Sequence, residues 1–290
     1  MLAFALLFVT PLTSLASEPE PAEPEGTEIE EIVSEELEEP EENIPVVYGA
    51  PEEEGETPKD IVILYTNDAH NAFEKTGSAL GYASIAGYKK QLEAAGNQVT
   101  LVDAGDAIQG DVIGTLSKGK YIVDIMKQVG YSIAVPGNHE FDFGMDNFLS
   151  LAKDAGWYTS CNFVLLETGD PVFRPYVMKE YEGGVKVAFI GICTPETFTK
   201  STPTYFQDEN GNYIYGFCEG DKGQQLYDQV QKYIDMARED GANYVIALGH
   251  LGTDVSSEPW TSKNVIAHTT GLDAFIDGHS HTVIRHFIWS

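Results

Sequence analysis

Five short polar stretches of this chain each follow directly on an apolar segment with the length and composition of a buried strand. In order along the chain they are D-A-H at 68–70, G-D at 105–106, G-N-H-E at 137–140, G-H at 249–250 and G-H-S-H at 278–281. These stretches hold five of the seven histidines. Histidine, aspartate and asparagine side chains together suit a pair of divalent metal ions. Few folds place potential metal ligands at the ends of so many apolar strands.

Strand-like and helix-like segments alternate through the region that carries these stretches. The predicted strands are 61–65, 98–102, 132–135, 185–192, 244–248 and 272–276, and the predicted helices are 82–95, 121–129, 145–155 and 224–238. Most strands are continuous apolar runs, which is typical of parallel strands covered on both faces. The pattern therefore predicts an α/β fold built from parallel βαβ units. Because ligands in such sheets bind outside the carboxyl ends of the strands, we expect the five stretches to meet at one edge.

The first sixty residues differ in composition from the rest. Residues 2–9 are all apolar and small residues follow at 15–17, the pattern of an export signal, although no Lys or Arg precedes it. Residues 18–59 contain seventeen Glu and a single Lys, which predicts a disordered acidic linker. The expected organisation is an export signal at 1–17, a linker at 18–59 and a folded domain at 60–290. The protein would act in the periplasm, at the cell surface or outside the cell.

The composition also limits the partners. A net charge of −29 argues against binding a nucleic acid polymer, whose phosphates require Lys and Arg. It does not exclude a small phosphate substrate, because metal ions invert the local charge. No apolar run is long enough to span a membrane. We expect Cys161, Cys193 and Cys218 to be free thiols, with a Cys161–Cys193 disulfide as the alternative that an exported protein allows.

The first two polar stretches supply the carboxylates. Strand alternation would direct the side chains of Asp68 and His70 to the same side, although this pair alone is more typical of a surface Asp and a capping His. Asp106 follows a glycine that permits a tight turn, so its carboxylate can approach an ion and can bridge two ions. A turn or N-cap Asp is the common alternative for Asp106. Asp103 still lies on a predicted strand and is expected to be structural.

Residues 137–142 form the most specific stretch. Asn138 can offer a neutral oxygen to a metal ion, and His139 would point towards the substrate. Asp142 lies three residues on, close enough in a tight turn to orient that imidazole. A His–Asp pair beside a metal suits general-acid catalysis or stabilisation of transition-state charge. An Asn-initiated turn with a helix cap is the alternative.

The last two stretches supply histidines only. A lone histidine at a strand end, such as His250, is more often structural than a ligand. His279 and His281 are spaced by two after a glycine and can serve two different ions. His268 and His286 fall outside any pattern and are expected at the surface. The sequence has no H-E-x-x-H, EF-hand loop, cysteine-rich zinc cluster, G-x-S-x-G, P-loop or G-x-G-x-x-G motif, which excludes those templates.

As an ordered set, D-x-H, G-D-x-x-x-G, G-N-H-E, G-H and G-H-x-H resemble the motifs of the calcineurin-like metallophosphatases. The sequence N-H-E-F-D at 138–142, together with Y-T-N-D at 65–68 and T-P-E-T at 194–197, is similar to the motifs of the exported 5′-nucleotidase branch. That branch includes bacterial UDP-sugar hydrolases and 2′,3′-cyclic-nucleotide phosphodiesterases. The resemblance covers residues 60–284. It implies a four-layer αββα sandwich, with two β-sheets between helical layers.

The resemblance also implies a dinuclear site for divalent Zn, Mn or Fe. One ion would be held by Asp68, His70, Asp106 and His281, and the other by Asp106, Asn138, His250 and His279, with Asp106 bridging. His139 and Asp142 would be the catalytic pair. The implied reaction is hydrolysis of phosphate esters, foremost nucleoside 5′-monophosphates, by attack of a hydroxide held at the ions.

The resemblance stops shortly before the end of the sequence. Members of this branch continue with further strands of the second sheet and a C-terminal domain that recognises the nucleotide, whereas residues 285–290 do not resemble them. We therefore expect a phosphoesterase domain without its last strands. Two other interpretations stay open, an inactive fragment that still binds metal and an acidic cell-surface interaction protein with a vestigial site. Metal binding without turnover would favour the first, and no metal binding would favour the second.

Overall fold

The computed structural model describes residues 2–6, 59–76 and 79–282. The chain divides into two compact units, Met1–Leu12 with Lys59–Ser290, and Thr13–Pro58. All described residues belong to the first unit. Residues 18–58 of the predicted acidic linker, and the chain from residue 283 onwards, lie outside the described residues.

The described residues form ten strands and seven α-helices. The strands are β1 (Leu2–Leu6), β2 (Ile61–Thr66), β3 (Gln98–Asp103), β4 (Ile133–Ala134), β5 (Val164–Leu165), β6 (Tyr176–Glu180), β7 (Lys186–Cys193), β8 (Tyr215–Gly216), β9 (Tyr244–His250) and β10 (Ala274–Ile276). The helices are α1 (Tyr82–Ala94), α2 (Val112–Ser117), α3 (Lys120–Val129), α4 (Met145–Ala155), α5 (Thr197–Lys200), α6 (Gln224–Glu239) and α7 (Ser262–His268). Every strand and helix predicted from the sequence is present within two residues of its expected ends.

Two four-stranded sheets organise the fold. The first has the order β1-β2-β3-β4 and is parallel throughout. The second has the order β10-β9-β7-β6, with β6 antiparallel to β7 and the other pairs parallel. All pairings among the six predicted strands are parallel, as expected, whereas the antiparallel β6 was not predicted, and the short strands β5 and β8 form a separate antiparallel pair. Part of the predicted export signal, Leu2–Leu6, pairs with β2 at the edge of the first sheet, and its export role stays a prediction.

Three apolar clusters show how the layers pack. One lies between the sheets and joins Ile63 of β2 with Phe189 of β7, among others. A second joins the opposite face of the first sheet to α1, α3 and α4, and a third joins the opposite face of the second sheet to α6 and α7. Each sheet is thus buried on both faces, which explains its continuous apolar strands. The layers run helix, sheet, sheet, helix, which confirms the predicted αββα sandwich.

Three further predictions concern single features of the described residues. Cys161, Cys193 and Cys218 are all free thiols, as expected, and the first two are buried. No helix in the described ranges combines the length and the apolar character needed to cross a bilayer. His268 is exposed on α7, where it stacks on Tyr227, whereas His286 lies outside the described residues.

Candidate metal centre

The first cluster of potential ligands consists of Asp68, His70 and His281. One ligand atom from each lies within 4.8 Å of the others. The Nε2 atom of His281 is 3.4 Å from Asp68 Oδ1 and 3.4 Å from Nε2 of His70. A carboxylate and two imidazoles converging in this way are the ligands that Zn²⁺ and similar cations prefer. Segments 211 residues apart in the sequence therefore meet at one point.

The second cluster consists of Asp106, His250 and His279, again with ligand atoms within 4.8 Å of one another. His250 Nε2 is 3.0 Å from Asp106 Oδ2, and both side chains are buried. The same Asp106 oxygen is 3.9 Å from His70 Nε2 in the first cluster. Asp106 therefore lies between the two clusters, where its carboxylate can serve both.

The hydrogen bonds of His250 show which nitrogen is free. Its Nδ1 lies 2.6 Å from the carbonyl oxygen of Ala104. A carbonyl oxygen only accepts, so Nδ1 carries a proton and donates it. The Nε2 atom is then the nitrogen that faces Asp106, and it approaches this carboxylate without the alignment of a hydrogen bond.

Two buried polar atoms at this centre have no hydrogen-bond partner among the described residues: Nε2 of His250 and Oδ1 of Asn138. A buried polar atom left unpaired costs about 1–3 kcal/mol, so each one needs a physical reason. A cation coordinated by both atoms supplies that reason. The residues present therefore fit divalent metal ions.

The charges at this centre depend strongly on one another. Burial lowers the pKa of His250, but the neighbouring carboxylates of Asp106 and Asp68 outweigh it and raise that pKa to about 10. Burial alone would raise the pKa of Asp106, but the charge of His250 holds it well below its usual range. The imidazolium of His250 thus balances these carboxylates in the metal-free protein. A cation bound here would displace that proton.

The backbone is left-handed at five of the seven predicted ligands, including the three carried by the first two polar stretches. φ is +48° at Asp68, +41° at His70 and +59° at Asp106. Non-glycine residues in this conformation cost about 1–3 kcal/mol each and persist where the surroundings hold them. Here Asp68 N–H donates to Gly105 O and His70 N–H donates to Asp106 O, each at 2.9 Å. The expectation that strand alternation aligns Asp68 and His70 was therefore wrong, because β2 ends at Thr66 and a turn brings them together.

Glu140 holds the turn that carries Asp106, a role the sequence analysis missed. Its fully buried carboxylate accepts hydrogen bonds from the backbone N–H groups of Asp106 (2.8 Å), Ala107 (2.8 Å), Ile108 (3.3 Å) and Gly137 (2.6 Å). The turns after β3 and β4 are thereby tied to a single carboxylate. The signal available in the sequence was the acidic residue that closes G-N-H-E.

Gly137 lies where the turns after β3 and β4 meet, and there is no room there for a side chain. A Cβ atom at this position would overlap Oδ1 of Asp106 and would lie 2.7 Å from Nε2 of His250. Only glycine therefore lets the chain that carries Asn138 pass this close to the two buried ligands. His139 N–H also donates to Asp106 Oδ1 at 2.9 Å, which places the stretch against the bridging carboxylate.

His139 and Asp142 form a short contact beside the ligands. His139 Nδ1 lies 2.6 Å from Asp142 Oδ2 across a short 3₁₀ helix, His139–Phe141. Burial lowers the pKa of His139, but the hydrogen bond to Asp142 and the charge of Asp106 outweigh it, so the pKa is raised. The Ser201 hydroxyl donates to the other oxygen of Asp142 at 3.0 Å. Asp142 thus holds the imidazole of His139, and Ser201 holds Asp142 in place.

The model of the family described as calcineurin-like phosphoesterase matches residues 61–283. The chain belongs to the calcineurin-like phosphoesterase family. This match confirms the family predicted from the motifs, and with it the class of metal-dependent phosphoesterases.

Individual phosphoesterases show how far the similarity extends. A 2′,3′-cyclic-nucleotide 2′-phosphodiesterase/3′-nucleotidase of Yersinia enterocolitica is 27% identical over 256 residues, which cover 77% of this chain and 37% of the relative. A 5′-nucleotidase of Diplobatis ommata is 29% identical over 245 residues, which cover 78% and 38%. The crystal structure of the calcineurin-like phosphoesterase YfkN from Bacillus subtilis aligns with a TM-score of 0.63 and 25% identity, over 78% of this chain and 73% of that one. The chain spans less than two fifths of the length of the two relatives.

Within this phosphoesterase fold, the structure gathers all the residues predicted for the site. Six of the seven predicted ligands lie in the two clusters. The seventh, Asn138, stands between Gly137 and His139, which both lie against Asp106, and its Oδ1 is unpaired. Asp103 stays on β3, where it accepts a hydrogen bond from Thr66 and belongs to neither cluster. Glu196 is a second carboxylate without a predicted role, and its Oε2 lies 2.8 Å from Nε2 of His279.

Proposed function

We propose that this chain hydrolyses phosphate esters at a dinuclear site, with nucleoside 5′-monophosphates as the substrate class. The observation that carries the proposal is Asp106, a buried carboxylate between two clusters of ligands, beside two buried polar atoms without a partner. The family match supports hydrolysis of a phosphoester at a metal site.

The ligands divide into two sets that share one residue. Asp68, His70, Asp106 and His281 would hold one divalent ion, and Asp106, Asn138, His250 and His279 would hold the other. When bound, the ions supply positive charge to the phosphoryl oxygens and lower the pKa of a coordinated water. Carboxylate, amide and imidazole ligands without a thiolate favour Zn²⁺, Mn²⁺ or Fe over softer metals.

His139 is the proposed acid. Its Nδ1–H donates to Asp142 Oδ2, so Nε2 is the nitrogen left to face the substrate. The raised pKa favours a proton on Nε2, and that proton can pass to the leaving-group oxygen. Asp142 fixes the ring and stabilises its charge. His139 lies close to the ligands, since its ring centroid is 5.3 Å from that of His70.

The substrate class rests on relatives and on charge. The relatives above are named for their action on nucleotides, but the chain spans little more than a third of their length. The net charge of −29 favours a small substrate over a nucleic acid polymer. We also propose export, on the basis of the apolar run at 2–9 and the acidic segment behind it.

The test is phosphate release by the purified chain after removal of its metal. Mn²⁺ or Zn²⁺ is added back with 5′-AMP, and p-nitrophenyl phosphate serves as a substrate without a base. We expect metal-dependent release that falls at least 100-fold in His139→Ala. The matched control is His268→Ala, which removes an exposed histidine on α7 and should leave the rate unchanged.

Three outcomes separate the alternatives. Release from both substrates without a preference for 5′-AMP would retain the phosphoesterase and overturn the nucleotide assignment. A folded chain that binds two ions but releases no phosphate from either substrate would be an inactive metal-binding fragment. A folded chain that binds no ion would contradict the dinuclear site itself.

A further inference from the structure

We propose that Glu196 is a positioning residue that holds His279 through Nε2 and thereby presents Nδ1 to a metal ion. The proposal rests on the dinuclear site of the proposed function. Glu196 lies outside the five polar stretches, at the start of α5.

The contact between the two side chains is short and shielded from water. Glu196 Oε2 lies 2.8 Å from His279 Nε2, and the side chains are only 10% and 8% exposed. The backbone of His279 is fixed as well, because its N–H lies 3.0 Å from both carboxylate oxygens of Asp68. His279 is therefore held at its ring by Glu196 and at its backbone by Asp68.

The chemistry of the contact determines the tautomer. An ionised carboxylate only accepts hydrogen bonds, so Nε2 of His279 carries the proton and Nδ1 keeps its lone pair. His250 has the opposite arrangement, because its Nδ1 donates to Ala104 O and its Nε2 is free. The rings of these two histidines lie 5.1 Å apart and face the same carboxylate, Asp106. Each ring thus has one nitrogen held by the protein and one left for the ion.

Glu196 is fixed independently of His279. Its backbone N–H donates to the Thr194 hydroxyl at 3.2 Å, and the Ser257 hydroxyl forms a hydrogen bond with its carboxylate. A carboxylate held in this way restricts the ring orientation before an ion binds and makes the ring a stronger ligand. It also adds a third negative charge, after Asp68 and Asp106, near a site meant for two dications.

The test is titration of the metal-stripped chain with Mn²⁺ by calorimetry. The wild-type chain should bind two ions. We expect Glu196→Ala to lower the affinity for one ion by roughly 10- to 100-fold and to leave the affinity for the other unchanged, because only the ion bound by His279 depends on the contact. Glu196→Gln keeps the shape and an accepting oxygen but not the charge, so it should weaken the same ion by a smaller factor. The matched control is Glu182→Ala, whose side chain is 69% exposed and pairs with Lys59, and which should change neither ion.

The outcomes of this titration separate the two proposals. Two ions bound with wild-type affinity in both Glu196 variants would overturn the role of Glu196 and leave the dinuclear site intact. Absence of binding in the wild-type chain would instead overturn the dinuclear site. Equal weakening of both ions would show a general structural role and would also contradict the proposal. If Glu196→Ala does not fold, the result for Glu196→Gln decides alone.

Discussion

Replacing Glu140 with Gln should destabilise the protein far more than such a conservative change normally does. The carboxylate accepts four backbone N–H groups, two at each oxygen. Oε1 accepts from Ala107 and Ile108, and Oε2 accepts from Asp106 and Gly137. Glutamine has the same shape but only one accepting oxygen. Its amide nitrogen would face two N–H groups whichever way the side chain is turned.

The cost follows from these contacts. Two buried N–H groups lose their acceptor, at about 1–3 kcal/mol each. The expected loss in the free energy of unfolding is therefore about 2–6 kcal/mol, a large part of the 5–15 kcal/mol typical of a domain. The same change loosens the turn that carries Asp106, so affinity for the metal ions should fall with stability.

Urea unfolding of the metal-stripped chain measures this loss, with fluorescence of the buried Trp157 as the signal. The matched control is Glu182→Gln on the surface, which should stay within about 0.5 kcal/mol of the wild type. A loss below 1 kcal/mol in Glu140→Gln would mean that the four hydrogen bonds do not hold the turns together.

Three further predictions concern single positions. Burial raises the pKa of Asp103 to about 8. The folded chain therefore retains a proton that the unfolded chain releases above about pH 4, so stability falls as the pH rises from about 4 to about 8. In the wild type, the free energy of unfolding should fall between pH 5 and 8.5, and Asp103→Asn should remove roughly 4 kcal/mol of that fall. Urea unfolding of metal-stripped protein measures this, and the same dependence of the unfolding free energy on pH in both proteins would contradict it. Ser201→Ala removes one hydrogen bond to Asp142, worth about 0.5–1.5 kcal/mol, so kcat should fall about 2- to 10-fold with metal content unchanged; full activity would show that the contact does not matter. Gly137→Ala should abolish binding of Mn²⁺ in calorimetry because its Cβ would overlap the bridging carboxylate, whereas Gly87→Ala, with open space around it, should bind as the wild type does.

The sequence could predict the layers because burial on both faces leaves a strong pattern. β7 and β9 are nearly continuous apolar runs, and both were predicted. β6 (Tyr176–Glu180) was missed, because it lies at a sheet edge, is only partly buried and mixes polar with apolar residues. β5 and β8 have two residues each, too few for any periodicity.

The candidate ligands could be predicted because each lies at the end of a strand or in the segment after it, and strand ends converge in this architecture. The contacts that support them could not be predicted. Glu140 binds Gly137 three residues before it, but its contacts with residues 106–108 span 32 to 34 positions and the contact of Glu196 with His279 spans 83, and local spacing does not signal contacts at such separations. The left-handed turns at Asp68 and His70 also leave no mark in the sequence, because non-glycine residues rarely adopt them and the surrounding hydrogen bonds impose them here.

The number of divalent ions bound per folded chain decides whether the site is dinuclear. Native mass spectrometry of the chain loaded with Mn²⁺ gives this number for the wild type and for Asp106→Ala. We predict two ions in the wild type and, because both sites share this carboxylate, loss of both ions in the variant at the same Mn²⁺ concentration. A single ion in the wild type, or two ions retained without Asp106, would contradict a dinuclear site bridged by this residue.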